Sequence, residues 1–302
     1  MPPVQKPHVV VVLGAVLCLT SLLSACGEDA ADPAASGSGA AAFTTWGEDY
    51  IEKEIPPSDD GGTVVEDGCT IRYSRFLLAI SEITIADQSG TQAARQAGTV
   101  VFNMHVPGIK EVASFPGLTA KAWDRVSYAL VSPGADATLG AGATQEDRAL
   151  LVGAKAGVHV EGTISKGDVT KSFAWSFPTQ TLLRECKGEV AGKEEEGVVV
   201  TNGSTDTVQL TIHGDHLFYD DLQAASAKVR AQPIVDADAD NDDVVTLEEL
   251  AAVKLSNAAA ATGGTYSAGD VPNVNNLRDF VTALSRTIGH YRGEGECVAR
   301  PK

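Results

Sequence analysis

Apolar and polar side chains alternate along much of the first two thirds of the chain, which is the period of a β-strand with one buried face. Phe173, Trp175 and Phe177, for example, share one face of their segment. Gly, Pro or Asp residues bound these segments, as expected for turns. The pattern predicts six strands, over residues 72–86, 99–106, 124–133, 157–165, 170–181 and 205–214.

After residue 214 the apolar spacing changes from two residues to three or four, which is the period of a helix. Alternating strands with short turns predict an antiparallel β-sandwich over residues 43–214. We expect residues 215–302 to form a helical segment packed on this sandwich, so the fold is α+β but mainly β; a separate small C-terminal domain is the alternative. The helical patterns comprise Phe218, Leu222, Ala225 and Val229, and then Leu277, Val281, Leu284 and Ile288.

Near the N-terminus, residues 9–23 form an uncharged apolar run that follows Lys6. A transmembrane helix needs about 20 apolar residues, so the shorter run favours a signal peptide over a membrane anchor. The run ends in Leu23-Ser24-Ala25-Cys26, which resembles the bacterial lipobox. The resemblance implies that residues 1–25 are removed and that Cys26 is acylated, with palmitate as a typical chain.

Residues 26–42 are rich in Ala, Gly, Ser and Pro without an apolar period, so we expect a flexible tether. Lipid chains on Cys26 would hold the protein to a lipid bilayer without a spanning helix. Gly27 after the cysteine resembles the pattern of lipoproteins sent to the outer membrane. The expected location is the cell envelope, at the periplasmic or surface face of the outer membrane.

The net charge of the chain limits the kinds of molecule that it is expected to bind. The 302 residues include 23 basic and 40 acidic ones, which gives a net charge of −17. This field repels phosphate groups, so nucleic acid is excluded as a partner of the folded body and cations are favoured. The hydrophobic content of 43% is sufficient for a sizeable core.

Three cysteines remain after the predicted processing, because Cys18 leaves with the signal peptide and Cys26 is acylated. An oxidising compartment favours one disulfide and one free thiol. We predict a bond between Cys186 and Cys297, since both lie in polar ends of elements. Cys69 opens an apolar strand and is expected to be buried.

An acidic run at residues 236–243 is followed directly by a helix-forming segment. Numbered from residue 238, it looks like an EF-hand calcium loop: acidic residues fill positions 1, 3, 5 and 12, and position 7 offers a backbone carbonyl. One departure is Asp243 at position 6, where the family has Gly because the backbone takes a positive φ. The predicted Ca²⁺ ligands are the side chains of Asp238, Asp240, Asp242 and Glu249, the carbonyl of Val244, and a water held near Thr246.

A solvated acidic turn is the alternative for this run. Thr246 and Glu249 have the spacing of a capping box that starts a helix over residues 246–255. Capping does not account for three Asp residues at alternate positions, whose mutual repulsion destabilises a loop without a cation. We therefore favour calcium as the cofactor, with a structural role.

A second candidate metal site is the pair His213 and His216, which follows the last predicted strand. Such a pair could bind copper or zinc if a third histidine joined it. The alternative is an ordinary strand-to-helix junction capped by Asp215 or His216. The candidates for a third ligand are His105, His159 and His290.

No catalytic motif of the hydrolase, nucleotide-binding or zinc-protease type occurs in the chain, so we expect no enzyme activity. Several segments within residues 44–300 resemble a group of uncharacterised exported lipoproteins of Gram-negative bacteria. They are TTWGEDYIE, RFLLAI, KSFAWSF, TIHGDHLFYDDL, the acidic run and TALSRTIGHYRGEGEC. The resemblance implies envelope location and a calcium loop.

The sequence thus predicts an exported, lipid-anchored, calcium-binding protein with a binding or interaction role. Its expected partners are calcium and, through Cys26, the lipid bilayer. The alternative function is a periplasmic or surface copper- or zinc-binding protein that uses His213 and His216.

Overall fold

The computed structural model describes residues 37–57 and 64–302, which build two main β-sheets around one hydrophobic core. The strands are β1 (Ser38–Trp46), β2 (Thr70–Ala86), β3 (Gln92–Arg95), β4 (Thr99–Asn103), β5 (Lys110–Thr119), β6 (Ala122–Trp123), β7 (Arg125–Leu130), β8 (Thr138–Leu139), β9 (Val158–Lys166), β10 (Val169–Phe177), β11 (Thr181–Arg184), β12 (Lys187–Val190), β13 (Lys193–Glu196), β14 (Val198–Val199), β15 (Thr205–Ile212), β16 (Val244–Val245), β17 (Gly289–Tyr291) and β18 (Val298–Pro301). The helices are α1 (Glu48–Glu52), α2 (Gln145–Ala154), α3 (Gln232–Val235), α4 (Leu247–Ala252), α5 (Leu255–Thr262) and α6 (Leu277–Leu284), and Asp215–Phe218 form a 3₁₀ turn.

The larger sheet has ten strands and is centred on β2. Its main path runs β16-β10-β9-β2-β7-β11-β18, while β3 and β4 also pair with β2, and β8 pairs with β4. The smaller sheet has the order β17-β15-β1-β5. Two further two-stranded sheets, β12-β13 and β14-β6, complete the strand pairing of the described residues.

Side chains from both sheets share one core. Phe43 of β1 belongs to the same buried cluster as Trp175 of β10. The Trp175 ring stacks on Phe173, with 4.5 Å between ring centroids, and lies 6.2 Å from the ring of Phe218. Phe177 is buried as well, which confirms the apolar face predicted for this strand.

The predicted fold class is confirmed: the protein is mainly β, with few helices, in a β-rich α+β arrangement. The six strands read from the alternation correspond to β2, β4, β7, β9, β10 and β15. The alternation of apolar and polar residues predicted these strands correctly because each strand either buries only one face or buries both faces with β-branched and aromatic residues. The C-terminal segment packs in the same core as the strands, since Phe280 and Ile288 are part of the buried cluster.

The end predicted for the tether is wrong. The tether over residues 26–42 overlaps β1, which begins at Ser38 and buries Ala41. Small residues suit this strand because β1 lies between two neighbours: it runs parallel to β15 and antiparallel to β5. The smaller sheet therefore mixes parallel and antiparallel pairs. The C-terminal segment, expected to be helical, contributes β16, β17 and β18 to the two sheets.

The helix expected from the spacing of Phe218 to Val229 is absent from the structure, where a 3₁₀ turn ends at Phe218 and a loop follows. Asp220 holds that loop closed, because its carboxylate accepts hydrogen bonds from the Lys228 backbone N–H at 2.8 Å and from Arg230 Nε at 2.9 Å. Phe218 and Val229 are buried because the loop brings both into the core. The apolar residues of this segment are therefore spaced as in a helix, although the segment forms a loop.

The cysteines of the folded body lie as predicted. Cys186 and Cys297 form a disulfide, with the two sulfur atoms 2.03 Å apart. The neighbouring strands β11 and β18 pair with each other, which places the two residues side by side. Cys69 is free and buried, and burial raises the pKa of its thiol to about 12.

Cys26 and the predicted signal peptide lie outside the described residues. Among the residues that are described, no helix has both the length and the apolar character needed to cross a bilayer.

Candidate metal sites

The acidic loop, residues 238–249, runs from just after α3 to the first turn of α4. It carries the six predicted calcium ligands. Asp238, Asp240 and Glu249 each offer a carboxylate oxygen, and the three oxygens lie within 4.8 Å of one another. Asp242 is not part of this group: its Oδ1 accepts the backbone N–H of Val244 at 2.8 Å. Thr246 faces Glu249, as described below.

The backbone of the acidic loop takes a positive φ at two non-glycine positions. Asp243, at position 6, has φ of +65°, and Asn241 has φ of +61°. Asp and Asn adopt this left-handed region more readily than other non-glycine residues. Asp238 fixes the turn, since its two carboxylate oxygens accept the backbone N–H groups of Asn241 at 2.8 Å and Asp243 at 3.1 Å.

The capping box predicted at the end of the loop is present. Thr246 Oγ1 accepts the backbone N–H of Glu249 at 3.2 Å, and Glu249 Oε2 accepts the backbone N–H of Thr246 at 2.8 Å. The other oxygen of Glu249 accepts the N–H of Ala239 at 2.9 Å across the loop. These bonds to the charged form lower the pKa of Glu249. Glu249 therefore closes the loop and caps α4 with the same carboxylate.

The loop is attached to the edge of the larger sheet. Strand β16 pairs in parallel with β10, and Ser172 N–H donates to the Asp243 carbonyl at 2.8 Å. The indole N–H of Trp175 donates to the Val245 carbonyl at 2.8 Å inside the core. The acidic loop is thus held by backbone pairing to the sheet.

Lys171 is a cation already present at the acidic loop. Its ammonium lies 2.6 Å from Asp238 Oδ2 and 2.8 Å from Asp243 Oδ1. The hydrogen bond from Lys171 lowers the pKa of Asp238. Asp240 has no such partner, and desolvation together with the nearby Asp242 charge raises its pKa. Lys171 therefore neutralises only part of the charge of the acidic loop, and the remaining carboxylates leave the loop negatively charged.

The second candidate site, here called the histidine cluster, comprises His213, His216 and His290 at the turn after β15. Their ring centroids are 4.2 Å apart for His213 and His290, 5.1 Å for His213 and His216, and 4.9 Å for His216 and His290. Strand pairing brings the last residue in, because β17 lies against β15. Of the three candidates for a third histidine, the structure selects His290.

The turn between the first two histidines is tightly packed. The Tyr73 hydroxyl donates to the Gly214 carbonyl at 2.6 Å. A side chain at Gly214 would collide with Ile51 and the Tyr73 ring, with closest approaches of 2.5 and 2.9 Å. His213 is therefore held in place by backbone packing.

Several polar atoms at the histidine cluster are buried without a partner. Nε2 of His213, Oδ1 of Asp215 and Nδ1 of His290 make no hydrogen bond to any residue that the structure describes. His213 is 3% exposed and Asp215 is 2% exposed. A buried polar atom left unpaired costs about 1–3 kcal/mol of stability, so three in one place require an explanation.

Burial also controls protonation in this region. It raises the pKa of Glu48 to about 7 and raises the pKa of Asp215. Burial and the neighbouring rings lower the pKa of His216 well below its usual value and that of His290 to about 4. At neutral pH, His216 and His290 are therefore neutral imidazoles, the form that binds metal ions.

Carboxylates surround the histidine cluster, and two clefts lead to it. One carboxylate oxygen of Asp215 lies within 4.8 Å of ligand atoms of His213 and His216, and one of Glu294 lies within 4.8 Å of ligand atoms of His213 and His290. A cleft of about 470 Å³ is lined by His213 and Asp215, and one of about 480 Å³ by His216 and His290. Glu294 lines both clefts.

The remaining predicted histidines lie elsewhere and have partners. His105 Nδ1 bonds the Ile51 carbonyl at 2.9 Å. His159 uses both ring nitrogens, with Ser176 at 2.8 Å and Glu161 at 3.0 Å. Neither belongs to the histidine cluster.

Three residues near the two sites were missed by sequence reasoning: Lys171, Glu48 and Glu294. Lys171 and Glu48 come from elements far along the chain from the residues they contact, and no local spacing marks them. Glu294 could have been found, since it lies four residues after His290 in the same C-terminal turn.

Comparison of the chain with protein families, curated proteins and solved structures found no match. The geometry of the acidic loop and the histidine cluster therefore carries the functional argument.

Proposed function

We propose that this chain is an exported, lipid-anchored protein that binds one calcium ion in its acidic loop, and that the ion has a structural role. The observation that carries the proposal is the arrangement of Asp238, Asp240 and Glu249, whose oxygens converge within 4.8 Å in a loop with a positive φ at position 6. Calcium prefers carboxylate and carbonyl oxygens in flexible sites of this kind.

Position within the fold supports the structural role. The acidic loop joins the edge of the larger sheet, through β16 and β10, to helix α4. Helix α4 packs against α6, and Leu250 of α4 is buried. A cation that neutralises the converging carboxylates would stabilise the junction between the sheet and these helices.

Asp243 in place of Gly and the neighbouring ammonium of Lys171 both weaken the proposed site. We expect a dissociation constant on the order of 10⁻⁵ to 10⁻³ M, the range of weak sensors and extracellular modules. Such a site is filled only where calcium is abundant, which fits an exported protein. Calcium at tenfold excess over this constant would stabilise the fold by about 1.4 kcal/mol.

The test is the melting temperature with calcium and with a chelator. Wild type should melt about 3–5 °C higher with calcium at tenfold excess, since about 1.4 kcal/mol corresponds to that shift for a domain of this size. Glu249→Gln should lose most of the shift. Glu248→Gln, which removes an exposed charge from the adjacent position, is the matched control and should keep it. A shift that is equal in all three proteins, or absent from wild type, rejects the calcium site.

The lipid anchor is supported by the Leu23-Ser24-Ala25-Cys26 motif after an apolar run. Wild type expressed in a Gram-negative host should incorporate labelled palmitate and fractionate with membranes. Cys26→Ser should lose both properties, whereas Cys18→Ser, within the predicted signal peptide, should retain both. An unmodified Cys26 in the mature wild-type protein would reject the anchor without affecting the calcium proposal.

A further inference from the structure

We propose that His213, His216 and His290 bind a divalent transition-metal ion of the Zn²⁺ class at the turn after β15, with Asp215 or Glu294 as the carboxylate ligand. This site is distinct from the acidic loop. The protein would then bind two different cations: calcium through oxygen ligands, and a transition metal mainly through nitrogen ligands.

Hydrogen bonding leaves His216 with a free ligand nitrogen. The hydroxyl of Thr287 donates to the Leu284 carbonyl at 2.9 Å, so its oxygen accepts from His216 Nδ1, which lies 3.2 Å away. His216 then carries its proton on Nδ1, and the lone pair of Nε2 is available. Metal-binding histidines are oriented by such a hydrogen bond on the opposite nitrogen.

At His213 a carboxylate lies near the corresponding nitrogen, although the two atoms are too far apart for a good hydrogen bond. Glu48 Oε2 lies 3.5 Å from His213 Nδ1. The proton is favoured on that side of the ring, which leaves Nε2 as the ligand atom. That nitrogen is one of the buried atoms without a partner, as is Nδ1 of His290. A bound cation would satisfy these lone pairs together.

The donor set determines the class of ion. Calcium takes six to eight oxygen ligands, whereas imidazole nitrogens suit zinc and its neighbours in the first transition series. No thiolate is available here, since Cys297 nearby is in the disulfide. Three histidines with one carboxylate or water complete the tetrahedral coordination that Zn²⁺ prefers.

His213 is the ring common to the two groups of ligand atoms, one with Asp215 and His216 and the other with His290 and Glu294. Nitrogens bound to Zn²⁺ at about 2.0–2.1 Å in a tetrahedron are about 3.4 Å apart, and the rings behind them are farther apart. The ring centroids lie 4.2–5.1 Å apart. One ion bound to His213 would therefore draw on both groups of ligand atoms, and the rings of His216 and His290 would rotate towards it. The two clefts provide entry for a hydrated ion from solvent.

The experiment is a Zn²⁺ titration of protein freed of metal by a chelator, in Ca²⁺ at about tenfold excess over the upper dissociation constant expected for the acidic loop, so that this loop does not compete. A chromophoric chelator reports the affinity, and elemental analysis reports the stoichiometry. Wild type should bind one Zn²⁺ per chain. His290→Gln and His216→Gln should each weaken binding at least about tenfold, because removing even an outer partner of a zinc site has that effect. His159→Gln, which removes a buried histidine with satisfied nitrogens, should bind as wild type does.

Zn²⁺ binding is compared only among variants that keep the wild-type circular dichroism spectrum. His290 lies on an edge strand and is partly exposed, so His290→Gln should disturb the core little. Less than one Zn²⁺ per chain, binding unchanged in His290→Gln, or an equal loss in His159→Gln would each overturn the proposal. Glu249→Gln should leave Zn²⁺ affinity unchanged, so failure of the calcium site is distinguishable from failure of this one.

Discussion

Lys171 lies where it would lower the calcium affinity proposed for the acidic loop. Its ammonium contacts Asp238 and Asp243 and therefore neutralises part of the charge that would attract a cation. The same contacts fasten the loop to β10. Lys171 would therefore weaken cation binding, and at the same time it orders the loop before an ion binds.

Replacing Lys171 with Met should tighten calcium binding about tenfold, because a divalent ion about 5 Å from a unit charge is repelled by roughly 1–2 kcal/mol even in a water-like medium. Calorimetric titration measures the change. Lys166→Met, on neighbouring β9, is the control: Lys166 hydrogen-bonds Gln232 and contacts none of the loop carboxylates. Weaker binding in Lys171→Met would mean that ordering of the loop outweighs its charge.

At the residue scale, the sequence predicts ligands that are close in the chain and misses those that are not. The spacing of Asp238, Asp240 and Glu249 identifies them because one loop positions all three. Glu48 faces His213 across 165 positions, and only the pairing of strands brings them together. His290 could be named only as one of three candidates for the same reason.

Helix α4 depends on its first turn, because it has only six residues and Leu250 is its one buried side chain. Isolated helices of this length are unstable in water, so the cap and the packing of Leu250 must hold it. The cap is made by Thr246 and by Glu249, the residue proposed to bind calcium. Helix α4 and the proposed calcium site therefore share the same carboxylate.

Thr246→Ala should lower the free energy of unfolding by about 1 kcal/mol, as expected for loss of an N-cap side chain. It should also weaken calcium binding, since the Thr246 hydroxyl contacts Glu249 Oε2 at 2.9 Å and orients that carboxylate. Thr246→Ser keeps the hydroxyl and should restore both properties. Thr282→Ala, which removes an exposed hydroxyl within α6, is the control for stability. Urea unfolding with and without calcium measures the two effects, and a Ser variant as weak as the Ala variant would contradict the capping argument.

Element prediction succeeded where one physical cause dominates the pattern. Strands such as β10 alternate because one face is buried, and the second helical pattern, which begins at Leu277, became α6 because its apolar stripe packs on the core. The pattern after residue 217 failed because Asp220 stabilises a loop through contacts with Lys228 and Arg230, which spacing alone does not encode. Strand β1 was missed because its Ala and Gly residues have low strand propensity and form a strand only between two neighbours.

On the scale of the whole molecule, the C-terminal segment is held by both sheets. Strand β17 pairs with β15 of the smaller sheet, and β18 pairs with β11 of the larger one. The disulfide between Cys186 and Cys297 fixes the second attachment. The turn between β17 and β18 carries Glu294, so the disulfide also limits the movement of one wall of the histidine cluster.

Removing the disulfide should therefore destabilise the fold and loosen the histidine cluster. The bond joins residues 111 positions apart, and closing a loop of that length in the unfolded chain corresponds to about 4–5 kcal/mol in the chain-entropy model. We expect the double variant Cys186→Ser, Cys297→Ser to lose that much free energy of unfolding in urea.

The control is Cys69→Ala, which removes the buried free thiol and leaves the bridge intact. It should lose about 1 kcal/mol, as for a small buried truncation. In the double variant the turn that carries Glu294 loses one of its attachments, so Zn²⁺ binding should weaken. The calcium-dependent rise in melting temperature should remain, because the acidic loop is fastened by β10. Equal stability of the two variants would show that strand pairing alone holds the C-terminal segment.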